Sequence, residues 1–394
     1  MATFAPERPR PRPTRAPEAG APIGVVAAGH PLTGGAAPFN DAMVRALRRR
    51  GPVAHLGWRR MYPPFAYRGQ ATDERSRPPG AVPPERLLDW HNPLTWRAAI
   101  GRLDAAGARA LVIPWLHPVM APPTRWMLRH APRGMRRVVI CHNVRAHEPA
   151  PFEARLTRAA LAHADLLVTH AAGQRAELAE LGLGGIPLLD AFHPVFVAED
   201  LALPPAPEAV ARTRRQMGSP DLALLCFGAI RPYKGVELAV EAMALVDPAI
   251  SVRLVVAGRF WMDRAPLEER IRALGLGRRV ELRDGYLTND EAAVLFEASD
   301  AALLPYRSAS QSGVVGLAFA HGRPVIATSV GGLPEAVRHG VDGLLCPPDD
   351  PGAIAAAIER LAAARQDLAA GVAITRAERS FDRYADRLRQ ALDR

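Results

Sequence analysis

Short apolar runs recur along the chain, each followed by a segment with helical spacing, and this alternation limits the fold more than any other feature. Ile23–Ala28, Ala110–Pro114, Val138–His142 and Leu166–Thr169 read as buried strands of the first half. Leu222–Phe227, Val252–Ala257, Val280–Leu282, Ala301–Pro305 and Pro324–Thr328 do so in the second. Between them, Phe39, Met43, Ala46 and Leu47 fall on one helical face, as do Val236, Ala239, Val240 and Met243. Continuously apolar strands joined by helices belong to parallel sheets covered on both faces. A chain of 394 residues is too long for one ordinary core. The expected fold class is therefore α/β, with two doubly wound domains facing each other across a cleft. Residues 22–200 and 201–375 are the expected domains, and Pro194–Pro207, rich in Pro and Ala without periodicity, the linker. No repeat of solenoid type is present.

Composition narrows the setting. Hydrophobic residues make up 48% and charged residues 23%, a globular balance. No stretch reaches the roughly 18 consecutive apolar residues of a spanning helix. Residues 1–21 are rich in Pro and Arg, lack an apolar core of the secretory kind, and are expected to form a disordered basic tail. Cys141, Cys226 and Cys346 stand alone within apolar runs, with neither metal spacing nor a disulfide framework, which fits a reducing cytoplasm. Residues 1–200 hold 26 Arg against 16 Asp plus Glu, whereas residues 201–394 are balanced at 24 of each sign. The whole positive surplus lies in the first half and points to an acidic partner there.

Among 50 basic residues only one is lysine, Lys234. It closes the turn Gly228-Ala229-Ile230-Arg231-Pro232-Tyr233-Lys234-Gly235, directly after an apolar strand. A lysine ammonium is a compact point charge, whereas a guanidinium is a wide planar fork. One lysine retained in so arginine-rich a chain suits a phosphate reached in a crowded pocket. Arg231 and Lys234 would stand at the carboxyl edge of the second sheet, where open α/β folds bind ligands. Two cations there suit a diphosphate leaving group.

Two further turns have the same character. The first strand runs into Gly29-His30-Pro31-Leu32-Thr33-Gly34-Gly35, a turn whose amides could approach an anion at a helix start, although it is neither a dinucleotide fingerprint nor a P-loop. In the second half, Pro305-Tyr306-Arg307-Ser308-Ala309-Ser310-Gln311-Ser312-Gly313-Val314 ends a strand and opens a helix, offering free amides at Ser312, Gly313 and Val314. His142 and His147 gather in the polar stretch Cys141-His142-Asn143-Val144-Arg145-Ala146-His147-Glu148, directly after the apolar run Val138–Ile140.

In order, R-x-Y-K-G at residues 231–235, Val256-Ala257-Gly258, Asp284-Gly285-Tyr286-Leu287, Ala298-Ser299-Asp300, Leu304-Pro305-Tyr306, Gly322-Arg323-Pro324-Val325 and Gly331-Gly332 make the chain resemble the retaining glycosyltransferases of family 4, which have the GT-B fold. The resemblance is strong over residues 222–348 and looser before residue 200. It implies two Rossmann-like domains, the first binding an acceptor and the second a sugar nucleotide, with residues 376–394 forming a helix that crosses back to the first domain. By that resemblance Arg231 and Lys234 would hold the diphosphate, assisted by the Ser312, Gly313 and Val314 amides and by Gly34 and Gly35. The Tyr286-Leu287 loop would meet the base, and His142 would face the sugar. The chain departs from the pattern at two places. Ala229 stands where the family usually has Arg, and the family's paired glutamates should fall near Ala309 and Leu317. A branch with Q-S-G is the better match, with Gln311 contributing instead.

The function expected is transfer of a glycosyl group from a nucleotide-diphosphate sugar to a glycan, lipid-linked or small-molecule acceptor, with retention. The resemblance implies a front-face course in which the leaving diphosphate takes the acceptor proton. No metal and no cofactor beyond the donor is expected, since no paired aspartates sit at a strand end. Three alternatives are a nucleic-acid-binding protein, a catalytically decayed protein of the same fold, and a sugar-nucleotide epimerase or hydrolase. Against nucleic acid, arginines are not interleaved with aromatics and no binding module is present. Arg125-Trp126-Met127-Leu128-Arg129, followed by Arg133, Arg136 and Arg137, has the character of an interfacial helix, so peripheral attachment to an anionic inner membrane face is a further expectation.

Overall fold

The structure is a computed structural model and describes residues 20–32, 36–62, 83–144, 152–198, 201, 204–309 and 312–394. The proposed tail, Gly34, Gly35, His147 and Gln311 lie wholly or mainly outside the described residues.

The first half alternates β1 (Ile23–Val26), α1 (Ala36–Arg48), β2 (Val53–Arg60), β3 (Glu85–Asp89), α2 (Pro93–Ala105), β4 (Ala110–Trp115), α3 (Ala121–His130), β5 (Arg136–Cys141), α4 (Glu153–Leu161), β6 (Leu166–Thr169), α5 (Ala172–Glu180) and β7 (Leu188–Asp190). The strands form one parallel sheet in the order β3-β2-β1-β4-β5-β6-β7. The second half supplies α6 (Pro207–Gln216), β8 (Leu222–Phe227), α7 (Val236–Leu245), β9 (Val252–Gly258), α8 (Ala265–Ala273), β10 (Val280–Asp284), α9 (Asn289–Ala298), β11 (Ala301–Leu304), α10 (Gly313–Ala320), β12 (Val325–Thr328), α11 (Leu333–Ala336), β13 (Gly343–Cys346) and α12 (Pro351–Glu378). Its parallel sheet runs β10-β9-β8-β11-β12-β13. A last helix, α13 (Phe381–Asp393), closes the chain. The expected architecture of two doubly wound α/β domains is what the sheets show.

Strands at sheet centres are apolar on both faces because helices cover both. β4 and β6 are buried at every residue, as are β11 and β12. The edge strands β3 and β7 are partly exposed and carry Glu85, Arg86, Asp89 and Asp190, so they lack the continuous apolar signature. Helix starts follow local chemistry. Thr288 and Glu291 form a capping box on α9. Asp350 accepts from the Ala353 amide ahead of α12, with Pro351 in the first turn.

The two sheets are tied by chain crossings rather than by a single linker. Val195 and Ser380 pair as an isolated parallel bridge, and the Val195 amide donates to the Arg379 carbonyl at 2.8 Å. Beyond this crossing, α13 packs on α1. Phe381, Tyr384, Ala385, Leu388 and Leu392 bury one face of α13 in the core between α1 and the first sheet, and Ala320 of α10 joins the same cluster. Asp382 and Asp386 on its outer side meet Arg49 and Arg50, and Asp393 meets Arg109. Across the gap, Glu335 of α11 accepts from the Ala172 amide at the start of α5, at 2.9 Å.

The Asp382 and Asp386 pairs are largely exposed, so their joint replacement by alanine is expected to cost about 1 kcal/mol or less at low salt. Denaturant titration in low and high salt reads this: the difference from wild type should shrink as salt screens the pairs. A loss that salt leaves unchanged would show that these carboxylates act through packing instead.

Candidate functional site

In both sheets the strand order reverses beside the first strand of the domain, between β1 and β4 and between β8 and β11. The carboxyl ends of these strands flank the crevice where doubly wound sheets take ligands.

In the second domain, β8 ends at Phe227 and the chain turns through Gly228 into a short 3₁₀ turn, Pro232–Lys234. Gly235 then takes φ +60°, and a Cβ there would overlap the Pro305 carbonyl, so glycine is required between the turn and α7. Gly258 at the end of β9 takes φ +140° and lies against the Gly228 carbonyl, where no side chain fits. These close approaches fold Lys234 back under the strand end. Its ammonium donates to the Phe227 carbonyl at 2.9 Å and lies 5.4 Å from the centre of the Tyr306 ring. Lys234 is 7% exposed, and no carboxylate pairs with it among the described residues. Burial, with Arg231 adding repulsion, lowers its pKa from 10.5 to about 8.

Other expected residues converge on the same place. The Lys234 ammonium and a Val314 methyl both border Gly228. Tyr306, following β11, hydrogen-bonds Ser312. Ser312 caps α10, its hydroxyl accepting from the Val314 amide at 3.3 Å. Gly313 is exposed at that helix start. Arg231 is half-buried, its guanidinium carbon 4.9 Å from the centre of the Trp261 ring. Lys234, Val314 and, through Tyr306, Ser312 thus gather where β8 ends and α10 begins, with Arg231 close enough to Lys234 to repel it. Tyr286 is 40% exposed on the loop after β10, whereas Leu287 packs partly buried against the domain core. Ala309 is buried and Leu317 packs against apolar clusters of both domains, so neither place offers a polar group to a sugar.

In the first domain, His142 follows β5. Its ring meets Phe39 edge-on at 4.5 Å between centroids, and its Nε2 is buried with no hydrogen-bond partner among the described residues. Burial, reinforced by His193, lowers its pKa to about 3. Around Phe39 stand two histidines that sequence reasoning passed over. His170 follows β6 as His142 follows β5, and its Nε2 lies 3.0 Å from the Tyr384 hydroxyl. His193 lies 5.3 Å from His170, centroid to centroid, and 5.4 Å from Phe39. Among the described residues no three His, Cys, Asp or Glu side chains are disposed to hold a metal ion. The three imidazoles pack as neutral aromatic rings. A histidine directly after each of two buried strands was the available signal.

The turn after β1 is held from below. Asp41 of α1 accepts from the His30 amide at 2.9 Å and Asn40 donates to the Ala28 carbonyl at 2.8 Å. Burial raises the Asp41 pKa to about 6, against the His30 hydrogen bond that lowers it. Helix α3 turns Met127 and Leu128 inward while Arg125 and Arg129 are exposed. Trp126 is half-buried and stacks on His130, with ring centroids 4.1 Å apart. Its apolar side is thus used by the domain core. No helix of the described residues is long and apolar enough to cross a membrane.

Residues 221–364 match the family model described as glycosyl transferases group 1, a span that contains Arg231, Lys234 and the start of α10. A D-inositol 3-phosphate glycosyltransferase of Geodermatophilus obscurus is 34% identical over 238 residues, covering 58% of this chain and 52% of that protein. The chain therefore spans about half the length of this curated relative. Among solved structures, sucrose-phosphate synthase from Thermosynechococcus elongatus superposes with a TM-score of 0.68 at 21% identity, over 94% of this chain and 98% of that one. Anabaena Alr3699/HepE in complex with UDP gives 0.66 at 16% identity, over 94% and 99%. At these identities the likeness is one of fold, and the fold is GT-B.

Proposed function

We propose that the protein transfers a glycosyl group from a nucleoside-diphosphate sugar, held by the second domain, to an acceptor held by the first. The observation that carries this reading is Lys234, a buried cation with no carboxylate partner among the described residues. An unpaired buried charge costs several kcal/mol unless an anion compensates it. The place for that anion is beside Arg231 and the start of α10, where Gly313 is exposed and the Ser312 hydroxyl already takes the Val314 amide. A diphosphate fits this set, and the negative charge that develops on it as the glycosidic bond breaks would be stabilised by the same groups. The group 1 match over residues 221–364 and the UDP complex of the structural neighbour HepE support the same reading.

Further parts of the reading concern stereochemistry and acceptor. Transfer proceeds with retention and without a metal, the leaving diphosphate taking the acceptor proton while His142, at the end of β5, lies on the sugar's side of the first domain. The acceptor is a glycan, a lipid-linked sugar or a small hydroxylated molecule at the carboxyl edge of the first sheet. The basic outer side of α3 would bring an anionic membrane surface within reach of a lipid-linked acceptor.

The test is calorimetric titration with UDP, GDP, ADP and dTDP at physiological salt without added metal. Tight binding of one member, lost in Lys234→Ala, is expected. Equal and salt-sensitive binding of all four, or binding unaffected by Lys234→Ala, would remove the reading.

A further inference from the structure

We infer that Trp261 is a positioning residue for Arg231, holding its guanidinium at the crevice in place of a carboxylate. The inference rests on the assignment of Arg231 and Lys234 as diphosphate ligands. Arg231 has a long flexible stem, sits beside a second cation that repels it, and has no acidic partner among the described residues. Left to itself such a side chain would swing toward water. An Asp or Glu could hold it, but would also neutralise it and compete with the incoming phosphates. An indole face attracts a cation through its quadrupole while leaving the charge and the N–H donors available. The Arg231 guanidinium lies 4.9 Å from the Trp261 ring centre, within that interaction range.

The ring stands on fixed backbone. The Trp261 amide donates to the Ile230 carbonyl at 2.8 Å and the Ile230 amide to the Arg259 carbonyl at 2.9 Å. Ile230 and Phe260 pair as a parallel bridge. The Phe260 amide in turn donates to Asp284 at 3.0 Å, joining the turn after β10 to the same rim. Trp261 is 39% exposed, so its ring stands at the rim where the guanidinium meets it. The device also accounts for Ala229. With no arginine beside the first-turn glycine, a charge carried farther along the turn needs another means of orientation.

Trp261 is the sole tryptophan of the second domain, the other five lying before residue 200. Tryptophan emission and calorimetry are therefore followed during titration with UDP, GDP, ADP and dTDP. The proteins are wild type, Trp261→Leu, Trp261→Phe, Arg231→Ala, the Arg231→Ala/Trp261→Leu double variant and Lys234→Ala. Loss of the π face in Trp261→Leu should weaken binding of the preferred nucleotide about fivefold, and Trp261→Phe should recover most of it. In the Arg231→Ala background Trp261→Leu should have no further effect, the signature of direct coupling. The difference in emission change between wild type and Trp261→Phe should vanish when Arg231 is removed. Wild-type affinity in Trp261→Leu, with binding still lost in Lys234→Ala, would overturn this inference alone. So would an undiminished Trp261→Leu effect in the Arg231→Ala background. Failure of wild type to bind any of the four nucleotides would overturn it together with the proposed function.

Discussion

Replacing Lys234 by methionine is expected to stabilise the ligand-free protein by about 2 kcal/mol while abolishing its affinity for nucleoside diphosphates. The folded-state pKa of Lys234 is lowered from 10.5 to about 8. At 1.36 kcal/mol per unit, holding this ammonium protonated in the folded protein costs about 3 kcal/mol. Methionine has similar length and no charge, and the hydrogen bond to the Phe227 carbonyl that it forgoes offsets about 1 kcal/mol of the gain. The sign of the pH dependence is distinctive. Between pH 8 and 10.5 the unfolded chain holds a proton on Lys234 that the folded chain has released, so wild-type stability rises with pH in that window. The methionine variant lacks this rise. The methionine variant's advantage should be full below pH 8, vanish before pH 10.5 and reverse by about 1 kcal/mol beyond it. Denaturant titration at several pH values measures it. A methionine variant less stable than wild type at pH 7 would mean that the ammonium is structural, not held in readiness for an anion. A stabilising change that removes binding is the usual sign of a site kept at the expense of stability.

The second expected result is steep loss of stability in acid. Burial lowers the pKa of His55 and His142 to about 3, that of His193 to about 4, and that of His170 well below 6.5. The unfolded chain takes up these protons near pH 6.5, before the folded protein does. Stability from the four neutral rings is complete above that value and is lost as pH falls through the window. Asp41, with its pKa raised to about 6, works in the opposite direction between pH 6 and 3.8. Near pH 5 these five groups alone leave a balance of about three protons, or about 4 kcal/mol per pH unit. A domain stabilised by about 5–15 kcal/mol cannot withstand that slope for long. Folded signal should disappear between about pH 5 and 4, as followed by near-ultraviolet circular dichroism. His193→Leu removes one of the titrating rings and should reduce the slope by about one proton. A stability that stays level down to pH 4 would show that the cluster is already protonated in the folded protein.

Much of this arrangement was legible in the sequence, for physical reasons that also explain the omissions. Leu222–Phe227 and Leu166–Thr169 were readable to the residue because strands covered on both faces are apolar along nearly their whole length. β2 was obscured by Gly57, Arg59 and Arg60, and β3 by its charges, since strands near a sheet margin share their faces with water. Lys234 stood out by its rarity, and Ser312 by its place at a helix start. The Phe39 cluster could not be read so directly. It joins α1, the ends of β5 and β6, the segment after β7 and the last helix, and nothing local announces that Tyr384 will meet His170. Trp261 was hidden for the opposite reason. It lies three residues beyond a recognisable glycine, and only the geometry shows Arg231 resting on its ring.

The return of α13 has a consequence for synthesis on the ribosome. The first domain is assembled from both ends of the chain, with Phe39 in contact with Phe381 and Tyr384. Residues 22–190 can pair their strands early and lay α1 on the sheet, but the cluster that α1 shares with α13 stays incomplete until α13 has been translated. The second domain, continuous from α6 to α12, can finish first. The order of maturation therefore runs against the order of synthesis. During that interval Phe39 and His170 lack the α13 side chains that meet them, and the nascent first half is exposed to unwanted association until α13 arrives.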